Sequence, residues 1–368
     1  ERPLRRIYSF PKLIQYKNHK KWIDLILGFF FIGIAMCSKG PLGLMIPLIA
    51  IGTHLILKKE LKLLLDWKLL VGFTITFITL IPLLIGLYNQ WDLHPEKTLY
   101  GVNNISGVKF FLWDQSFGRI TGSNPFVNNM KEIQTNDPFY FVHTLLWAFL
   151  PWTILGFSQL FKNIYSKIKG VKLNEYYTLG AIIIPIFMLS FSSYKLPHYI
   201  FICLPFLSVL ASDNILSKKL KFWKKAIHIL PILIFSLFSI LICAYSFPTS
   251  DILQWLIILI MLICFTFFII KKQNSVSFFV LISCISILFH LNMYTHFYPK
   301  LLSFDSAIKA GKKINSLKQE NTISYDSNRT DQQWETLSYS LEFYSKNINE
   351  MYFTLEQLED FRNKNLWV

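Results

Sequence analysis

The sequence predicts an all-α polytopic membrane protein with about nine transmembrane helices and a small extracytoplasmic α/β domain at its C-terminal end. Hydrophobic residues make up 53% of the 368 residues and charged residues only 16%, whereas a soluble domain carries roughly 25% charged residues. The apolar residues form long runs, and Lys and Arg are concentrated in alternate connections between these runs. This composition excludes intrinsic disorder, collagen and coiled coil.

Nine apolar runs are long enough to be considered as membrane spans, because a helix needs about 20 apolar residues to cross a hydrocarbon core of about 30 Å. The second run is short and follows a Gly-Pro step, which predicts a tilted or partial span. Proline inside several runs is compatible with membrane helices, since neighbouring groups can satisfy the freed backbone. The predicted spans are 22–38, 42–57, 69–89, 138–161, 175–192, 199–216, 226–247, 253–270 and 276–295.

Positive charge predicts the orientation of these spans. One set of alternate connections, which begins with the basic segment 1–21, carries 22 Lys and Arg, and the other set carries 6. Cytoplasmic loops carry the excess of Lys and Arg, so the first set is predicted to be cytoplasmic. The membrane domain then covers 22–295, with a large outer loop at 90–137 and the tail 296–368 outside the cytoplasm.

The tail changes character after the last apolar run, because charged and polar residues alternate with short apolar stretches. A Thr at an N-cap position and a Glu in the first turn mark the start of its last predicted helix. The predicted elements are helices at 304–318, 332–345 and 354–364 and strands at 321–326 and 349–353. The tail is therefore expected to be a small α/β domain that continues beyond residue 368.

Cysteine content and net charge exclude two further classes. The five cysteines lie inside apolar runs without C-x-x-C spacing, which predicts small buried side chains rather than a disulfide framework or a metal cluster. The net charge of +15 would suggest nucleic acid in a soluble protein. In a polytopic protein it is an orientation signal, so nucleic acid is not an expected partner.

Polar residues from distant parts of the chain are predicted at the outer face of the membrane. Lys39 lies in CSKGPLG, Arg119 in FFLWDQSFGRITG, and Lys195 in SSYKLPHY, which also contains His198 and Tyr199. Arg can hold a phosphate through a bidentate fork and Lys through a point charge. The three cations therefore indicate a site for a lipid-linked phosphate. Aromatic residues of the same face that can line an acyl groove or a sugar site are Trp113, Phe117, Tyr140 and Trp152.

Each of these residues also has an ordinary structural interpretation. Lys39 and Lys195 can snorkel at helix ends, and Arg119 can be a solvated loop residue. His198 can be a hydrogen-bonded interfacial histidine, while Tyr199 and Trp152 fit the aromatic belt. The joint occurrence on one face is what favours a site.

The sequence resembles glycosyltransferase family 39, the bacterial relatives of protein mannosyltransferases and of the lipid A aminoarabinose transferase. The matching segments occur in the family's order and cover most of the chain. They are SKGPLGLMIPL, FFLWDQSFGRITG with NDPFYFVHTLLWAFLPWTILG, SSYKLPHYIFICLPFLSVLAS and FYPKLLSFDSAIKAGKKI.

The resemblance implies a C-fold transferase of the bacterial inner membrane. Such enzymes move a sugar from a polyprenyl-phosphate donor to a lipid, protein or glycan at the outer face. By motif position Arg119 and Tyr199 contact the donor phosphate, and Lys39 and Lys195 add positive potential. Asp114 and Gln115 stand where relatives carry acidic or metal-coordinating side chains, which implies a divalent metal. The residues expected to line the substrate are Trp113, Gln115, His198 and Trp152.

The chain departs from the family in its number of spans. The family has about thirteen spans and carries its catalytic carboxylate in the first outer loop, whereas nine spans are predicted here. We therefore expect a fragment without the first four spans, whose catalytic base lies upstream of Glu1 and which alone does not catalyse transfer. Within the chain, Asp114 is the weaker candidate for the base.

The predicted function is membrane glycosyl transfer, and two alternatives stay open. A flippase or transporter of lipid-linked sugars should show charges near the bilayer midplane and repeat symmetry, and no internal repeat is visible. A non-catalytic membrane subunit would bind a partner through the tail and would not need Arg119 or Lys195.

Overall fold

The computed structural model describes residues 22–97, 104–118, 137–192, 195–216, 222–270, 274–316, 322–325, 343–344 and 348–352. These residues are mostly helical, and they separate into two compact units, Glu1–Ser217 and Lys218–Val368. Of the described helices, six are long and apolar enough to cross a membrane, so the protein is a multi-pass membrane protein by helix length and composition. The six are Trp22–Lys39, Lys68–Asp92, Pro197–Ile215, Ala226–Ser246, Ile252–Ile270 and Ser275–Leu302.

The first unit contains eight α-helices among its described residues. They are α1 Trp22–Lys39, α2 Leu42–Lys58, α3 Lys68–Leu87, α4 Gly107–Lys109, α5 Tyr140–Ala148, α6 Thr153–Ile168, α7 Tyr177–Ser190 and α8 Leu204–Leu216. Helix α3 continues as a π-helical turn, Tyr88–Asp92, and α4 as a longer π-helical segment, Phe110–Gly118. Short 3₁₀ segments at Leu61–Leu65 and Pro197–Cys203 precede α3 and α8. Helices α2 and α7 are the shorter apolar ones, in agreement with the short second run of the sequence.

Small residues set the helix packing of this unit. Helices α1 and α3 run parallel, with Thr76 Oγ1 donating a hydrogen bond to the Phe29 carbonyl oxygen at 2.8 Å. A Cβ added to Gly72 would lie 2.3 Å from the Phe29 ring, so only glycine permits this crossing. Helices α6 and α8 are joined by amide groups, with Asn214 Nδ2 donating to Ser158 Oγ at 2.7 Å. Small and polar residues therefore allow the helices of this unit to pack closely.

The predicted span 138–161 is not one helix, which corrects the sequence analysis. Helix α5 ends at Ala148 and α6 begins at Thr153, with a cis Leu150-Pro151 bond in the turn between them. Pro151 has no backbone N–H, and inside a helix its ring would clash with the carbonyl four residues earlier. Thr153 Oγ1 donates to the Leu146 carbonyl oxygen at 2.8 Å, which satisfies one acceptor left open by the break.

The second unit consists of an apolar helical part followed by the tail. Its helices are α9 Phe222–Leu241, α10 Ile252–Ile270, α11 Ser275–Asn292, α12 Tyr298–Leu302 and α13 Ser306–Ser316. Helices α9 and α11 continue as π-helical turns, Ile242–Ser246 and Met293–Phe297. The rings of Phe235 and Phe289 stack with centroids 4.3 Å apart, and Ile242, Cys243, Ile258 and Met293 form a buried cluster.

The tail contains two short parallel strands, β1 Thr322–Tyr325 and β2 Ile348–Tyr352, in which Ser324 pairs with Met351. They occupy the segments from which the sequence predicts strands, and α13 lies within the predicted helix 304–318. The predicted helix 354–364 and most of 332–345 lie outside the described residues. The complete α/β domain therefore stays a prediction.

Candidate functional site

The turn between α1 and α2 presents the first predicted site residue, Lys39. This lysine ends α1 and is exposed, and Gly40 follows it with φ of 59°. A Cβ added to Gly40 would lie 3.0 Å from the Phe111 carbonyl oxygen and 3.4 Å from Ser116 Oγ. The turn therefore packs directly against the π-helical segment of the outer loop, and the left-handed backbone with this close approach requires glycine.

The outer-loop segment is fixed to the end of α3. Asp92 Oδ2 accepts hydrogen bonds from the backbone N–H groups of Gly107 at 3.0 Å and Val108 at 3.4 Å, which caps α4. Ser106 Oγ accepts a third from the Lys109 N–H at 3.1 Å. A Cβ on Gly107 would lie 2.9 Å from the Leu87 carbonyl oxygen, so α4 is held against α3 at short range.

This anchored segment carries three of the predicted site residues. The Trp113 side chain is 53% exposed, and its ring lies 5.0 Å from that of Phe117. Asp114 and Gln115 follow it and are half-buried. The structure thus brings Lys39 and the Trp113–Gln115 segment to one place from positions more than 70 residues apart. Arg119 lies outside the described residues.

A second group of polar residues surrounds Lys195. The lysine is only 4% exposed, and its Nζ donates a hydrogen bond to the Asp137 carbonyl oxygen at 2.8 Å. Asp137 in turn accepts from the Phe139 N–H at 2.8 Å and lies 3.4 Å from His143 Nε2. Lys195 does not snorkel into solvent: it holds the point at which the outer loop enters α5. His143 is exposed beside this carboxylate.

His198 and Tyr199 lie on the 3₁₀ segment Pro197–Cys203, three and four residues after Lys195. Their rings are 4.7 Å apart and nearly perpendicular, with His198 exposed and Tyr199 half-buried. Trp152 is placed differently. It lies in the break after α5, and the nine residues of that helix separate it from Asp137 by about 13 Å along the axis. The structure therefore groups His198 and Tyr199 with Lys195 and sets Trp152 deeper in the unit.

The two groups lie at the same end of the first unit. Helices α2 and α7 pack antiparallel, because Thr53 near the end of α2 meets Gly180 near the start of α7. At that end the His54 ring stacks on the Tyr177 ring with centroids 3.9 Å apart. The opposite ends are the turn after Lys39 and the connection that contains Lys195. Both cations are thus presented at one end, as the charge pattern predicts.

Three carboxylates of the loop 90–137 have partners that hold them in place. Asp92 caps α4, Asp137 lies beside His143, and Glu96 Oε1 lies 2.8 Å from His94 Nδ1. Hydrogen bonds from its own backbone N–H and from the His94 side chain lower the pKa of the Glu96 carboxyl below its ordinary value. Asp114 lies on the same loop and is half-buried, and Glu132 lies outside the described residues.

The predicted metal site is not formed by the described residues alone. Among them no group of three or more His, Cys, Asp or Glu side chains is arranged to hold an ion. Asp114 and Gln115 are therefore not part of a complete donor set, and the divalent metal stays a prediction.

Two anchoring residues of this site were not identified from the sequence. Asp92 and Ser106 position the Trp113–Gln115 segment through backbone N–H groups, fifteen and three residues away in the chain. A serine before a helix is an N-cap signal that the sequence offers. The distant cap from Asp92 has no local signal.

No protein-family model matches the chain, and neither a curated protein nor a solved structure is significantly similar to it.

Proposed function

We propose that this protein is a membrane glycosyltransferase that takes a sugar from a polyprenyl-phosphate donor and passes it to a lipid, protein or glycan acceptor. The reaction is placed at the outer face of the bacterial inner membrane. The observation that carries the proposal is the packing of the Lys39–Gly40 turn against the segment that holds Trp113 and Asp114. It places a cation, an aromatic ring and a carboxylate at one end of the helical unit. The ordered family motifs of the sequence support the same reaction.

The proposal includes the finer fold of the sequence analysis. Nine spans of the C-fold type are counted by adding α2, α7 and the broken pair α5–α6 to the six long apolar helices. In the first unit the parallel pairs α1–α3 and α6–α8 and the antiparallel pair α2–α7 agree with that alternation. The tail is proposed to be an extracytoplasmic α/β domain.

The chemistry of such a transfer favours fixed cations near the donor. Negative charge develops on the departing phosphate, and preorganised positive groups stabilise it more in the transition state than in the ground state. The exposed ammonium of Lys39 and the Arg119 guanidinium are proposed for this role. Tyr199 adds a hydroxyl donor. Lys195 adds positive potential and positions the outer loop through the Asp137 carbonyl oxygen.

The base that takes the acceptor proton is proposed to be a carboxylate. Asp114 lies on the anchored segment next to the Lys39 turn, so it is the first described carboxylate to replace. The proposed lining of the substrate is Trp113, Gln115 and His198, with Trp152 deeper in the unit.

A transporter of lipid-linked sugars is the second candidate, because polar side chains lie inside the spans of the second unit. Asn292 Nδ2 donates to Gln254 Oε1 at 3.1 Å, and Gln254 Nε2 donates to Thr295 Oγ1 at 3.2 Å. Polar groups inside membrane spans often mark a substrate pathway. These residues are amides and hydroxyls without formal charge, which favours helix association over transport.

The test compares three outer-face cations in the purified protein reconstituted in vesicles. Loss of one charge-assisted phosphate contact costs about 1.5–3 kcal/mol, or about one to two decades in affinity or rate. We expect Lys39→Ala and Arg119→Ala to weaken binding of polyprenyl phosphate by that factor. Lys109→Ala is the matched control, because Lys109 is exposed on the same loop.

The readouts are binding of polyprenyl phosphate and, with added acceptor, release of sugar from a polyprenyl-phosphate-linked donor. Unchanged binding in both Lys39→Ala and Arg119→Ala would contradict the proposed site. Transfer that is lost in Asp114→Asn while binding persists would assign Asp114 to the chemical step. Transport of a lipid-linked sugar across the vesicle without transfer would favour the second candidate.

A further inference from the structure

We propose that the connection between α2 and α3, residues 59–67, is a membrane-interface anchor: its leucines enter the cytoplasmic leaflet, and its lysines bind anionic phospholipid headgroups. The distribution of Lys and Arg predicts that this connection lies on the cytoplasmic side. The proposal concerns the opposite end of the first unit from the candidate site, and it does not depend on glycosyl transfer.

The connection exposes a continuous set of large apolar side chains. Its 3₁₀ segment, Leu61–Leu65, contains four leucines, and Leu65 is 88% exposed. Trp67, two residues later, is 61% exposed, and Leu61 and Leu64 are also exposed. If these side chains faced water, the protein would lose about 25 cal/mol of favourable transfer free energy for each Å² of apolar surface. A lipid phase removes that cost, and a polar cytoplasmic loop would not need such residues.

The backbone of the connection is suited to a medium poor in water. The Glu60 N–H donates to the Leu55 carbonyl oxygen at 2.9 Å, and the Leu63 N–H donates to the Glu60 carbonyl oxygen at 3.1 Å. The N–H of Lys68 donates to Asp66 Oδ1 at 3.0 Å, which caps α3. A segment near the hydrocarbon region needs its backbone N–H and C=O groups hydrogen-bonded within the protein, because little water is present there.

The length of α2 places the connection at the right depth. Its 17 residues extend about 25 Å, whereas the hydrocarbon core is about 30 Å thick. Since its N-terminal end follows directly on the turn at the outer face, its C-terminal end lies short of the opposite headgroup plane. The residues that follow are therefore delivered to the interface rather than to the cytoplasm.

Cations and tryptophans surround the leucines in the pattern of an interfacial segment. Lys59 and Lys62 are exposed within the connection. The rings of Trp22 and Trp67 lie 5.7 Å apart, and Lys68 Nζ lies 5.8 Å from the centre of the Trp22 ring. Tryptophan pairs with lysine at the headgroup level, and each Lys near an anionic leaflet adds to its attraction. The complementary partner is an anionic phospholipid headgroup.

Spin labels on the full chain test the depth of the connection. The five native cysteines are first replaced by alanine, and a nitroxide is attached at Leu65→Cys, with Leu64→Cys as a second position. Glu60→Cys is the matched control, because Glu60 is exposed on the same connection. We expect relaxation of the labels at 64 and 65 by oxygen and of the label at 60 by a water-soluble nickel chelate. Equal relaxation of all three labels by the nickel chelate would overturn the proposal.

The headgroup contact is tested by lipid composition. In vesicles of phosphatidylcholine with added phosphatidylglycerol, the label at 65 should lie deeper than in phosphatidylcholine alone. Lys59→Gln with Lys62→Gln should abolish this difference, whereas Lys109→Gln, in the outer loop, should retain it. A label depth that does not respond to phosphatidylglycerol in the otherwise unchanged chain would overturn the assignment of the lysines to anionic headgroups.

Discussion

The helices of the two units pack in different ways. The first unit brings backbones together at glycines: a Cβ on Gly43 would lie 2.5 Å from backbone atoms of α1, and one on Gly180 would lie 2.3 Å from Thr53 Oγ1. The spans of the second unit, residues 222–302, contain no glycine. They are separated by stacked aromatic rings and joined by an amide network. The comparison teaches that close packing at glycines accompanies the unit that carries the candidate site, and packing of large side chains accompanies the other unit.

The largest expected effect follows from replacing Gly43, which permits the contact of α2 with α1. In Gly43→Ala the new methyl group would meet the Ala35 carbonyl carbon and the Met36 nitrogen, both at 2.5 Å. Backbone atoms cannot rotate away, so the substitution should lower the free energy of unfolding by at least the usual cost of overpacking, about 1–3 kcal/mol. The thermal midpoint in detergent should fall, and polyprenyl phosphate binding should weaken with displacement of Lys39.

Gly52→Ala is the control for this variant. Gly52 lies on the same helix, and a Cβ there meets open space within 4 Å. It should leave the midpoint unchanged or raise it, since alanine favours helix over glycine by about 1 kcal/mol. Equal loss of stability in both variants would show that the close approach of α2 to α1 at Gly43 is not decisive, because both variants carry the same gain in helix propensity.

The sequence predicts the long helices well because hydropathy and length are local properties. All six long apolar helices coincide with predicted spans, and the short α2 was predicted as short. The break at Pro151 was not predicted, because proline also occurs inside intact helices here, such as Pro47 and Pro185. Whether a proline bends or breaks a span depends on the packing around it.

The candidate site could be predicted by residue type but only partly by role. Charge and motif position identify Lys39, Asp114 and Lys195. The sequence does not show that Lys195 is buried against the Asp137 carbonyl oxygen, because that contact joins residues 58 positions apart. The contact between Gln254 and Asn292 was not predicted from the sequence either. Gln254 and Asn292 are polar residues within apolar runs of the sequence, and this was the signal that could have identified them.

Each unit contains an aspartate that caps a helix. The two caps should contribute similarly to stability but differ in their effect on binding. Asp92 caps α4 in the first unit, and Asp251 Oδ1 accepts from the Leu253 N–H at 3.0 Å at the start of α10 in the second. Removing an aspartate cap costs about 1 kcal/mol. We expect Asp92→Ala and Asp251→Ala to lower the thermal midpoint to a similar extent.

Only Asp92→Ala should also weaken binding of polyprenyl phosphate, because α4 positions the Trp113–Gln115 segment. Binding measured under conditions where both variants are folded checks this difference. Asp92→Asn is the conservative variant: its side-chain oxygen still caps, and it should restore binding. If Asp251→Ala impairs binding as strongly as Asp92→Ala, the site does not belong to the first unit alone.

The smallest expected effect concerns Asn292, a buried asparagine of the second unit, which is compared with Asn214 of the first unit. Asn214 Nδ2 donates to the Leu155 carbonyl oxygen at 3.1 Å as well as to Ser158 Oγ, so it joins α8 to α6. Asn292 is completely buried and donates to Gln254 Oε1, but its Oδ1 has no hydrogen-bond partner among the described residues.

Replacing Asn292 with leucine removes its hydrogen bond to Gln254, a weaker one to Cys243 Sγ and one uncompensated buried acceptor together. Hydrogen bonds between membrane helices are worth about 0.6 kcal/mol on average and about 1.7 kcal/mol at most. An unsatisfied buried polar atom costs about 1–3 kcal/mol, so its removal offsets the loss of the bond. Asn292→Leu should therefore change the free energy of unfolding by less than about 1 kcal/mol, whereas Asn214→Leu should destabilise by about 1–2 kcal/mol. Unfolding in mixed detergent measures both. A larger loss in Asn292→Leu than in Asn214→Leu would mean that the amide network, and not the stacked rings, holds the second unit together.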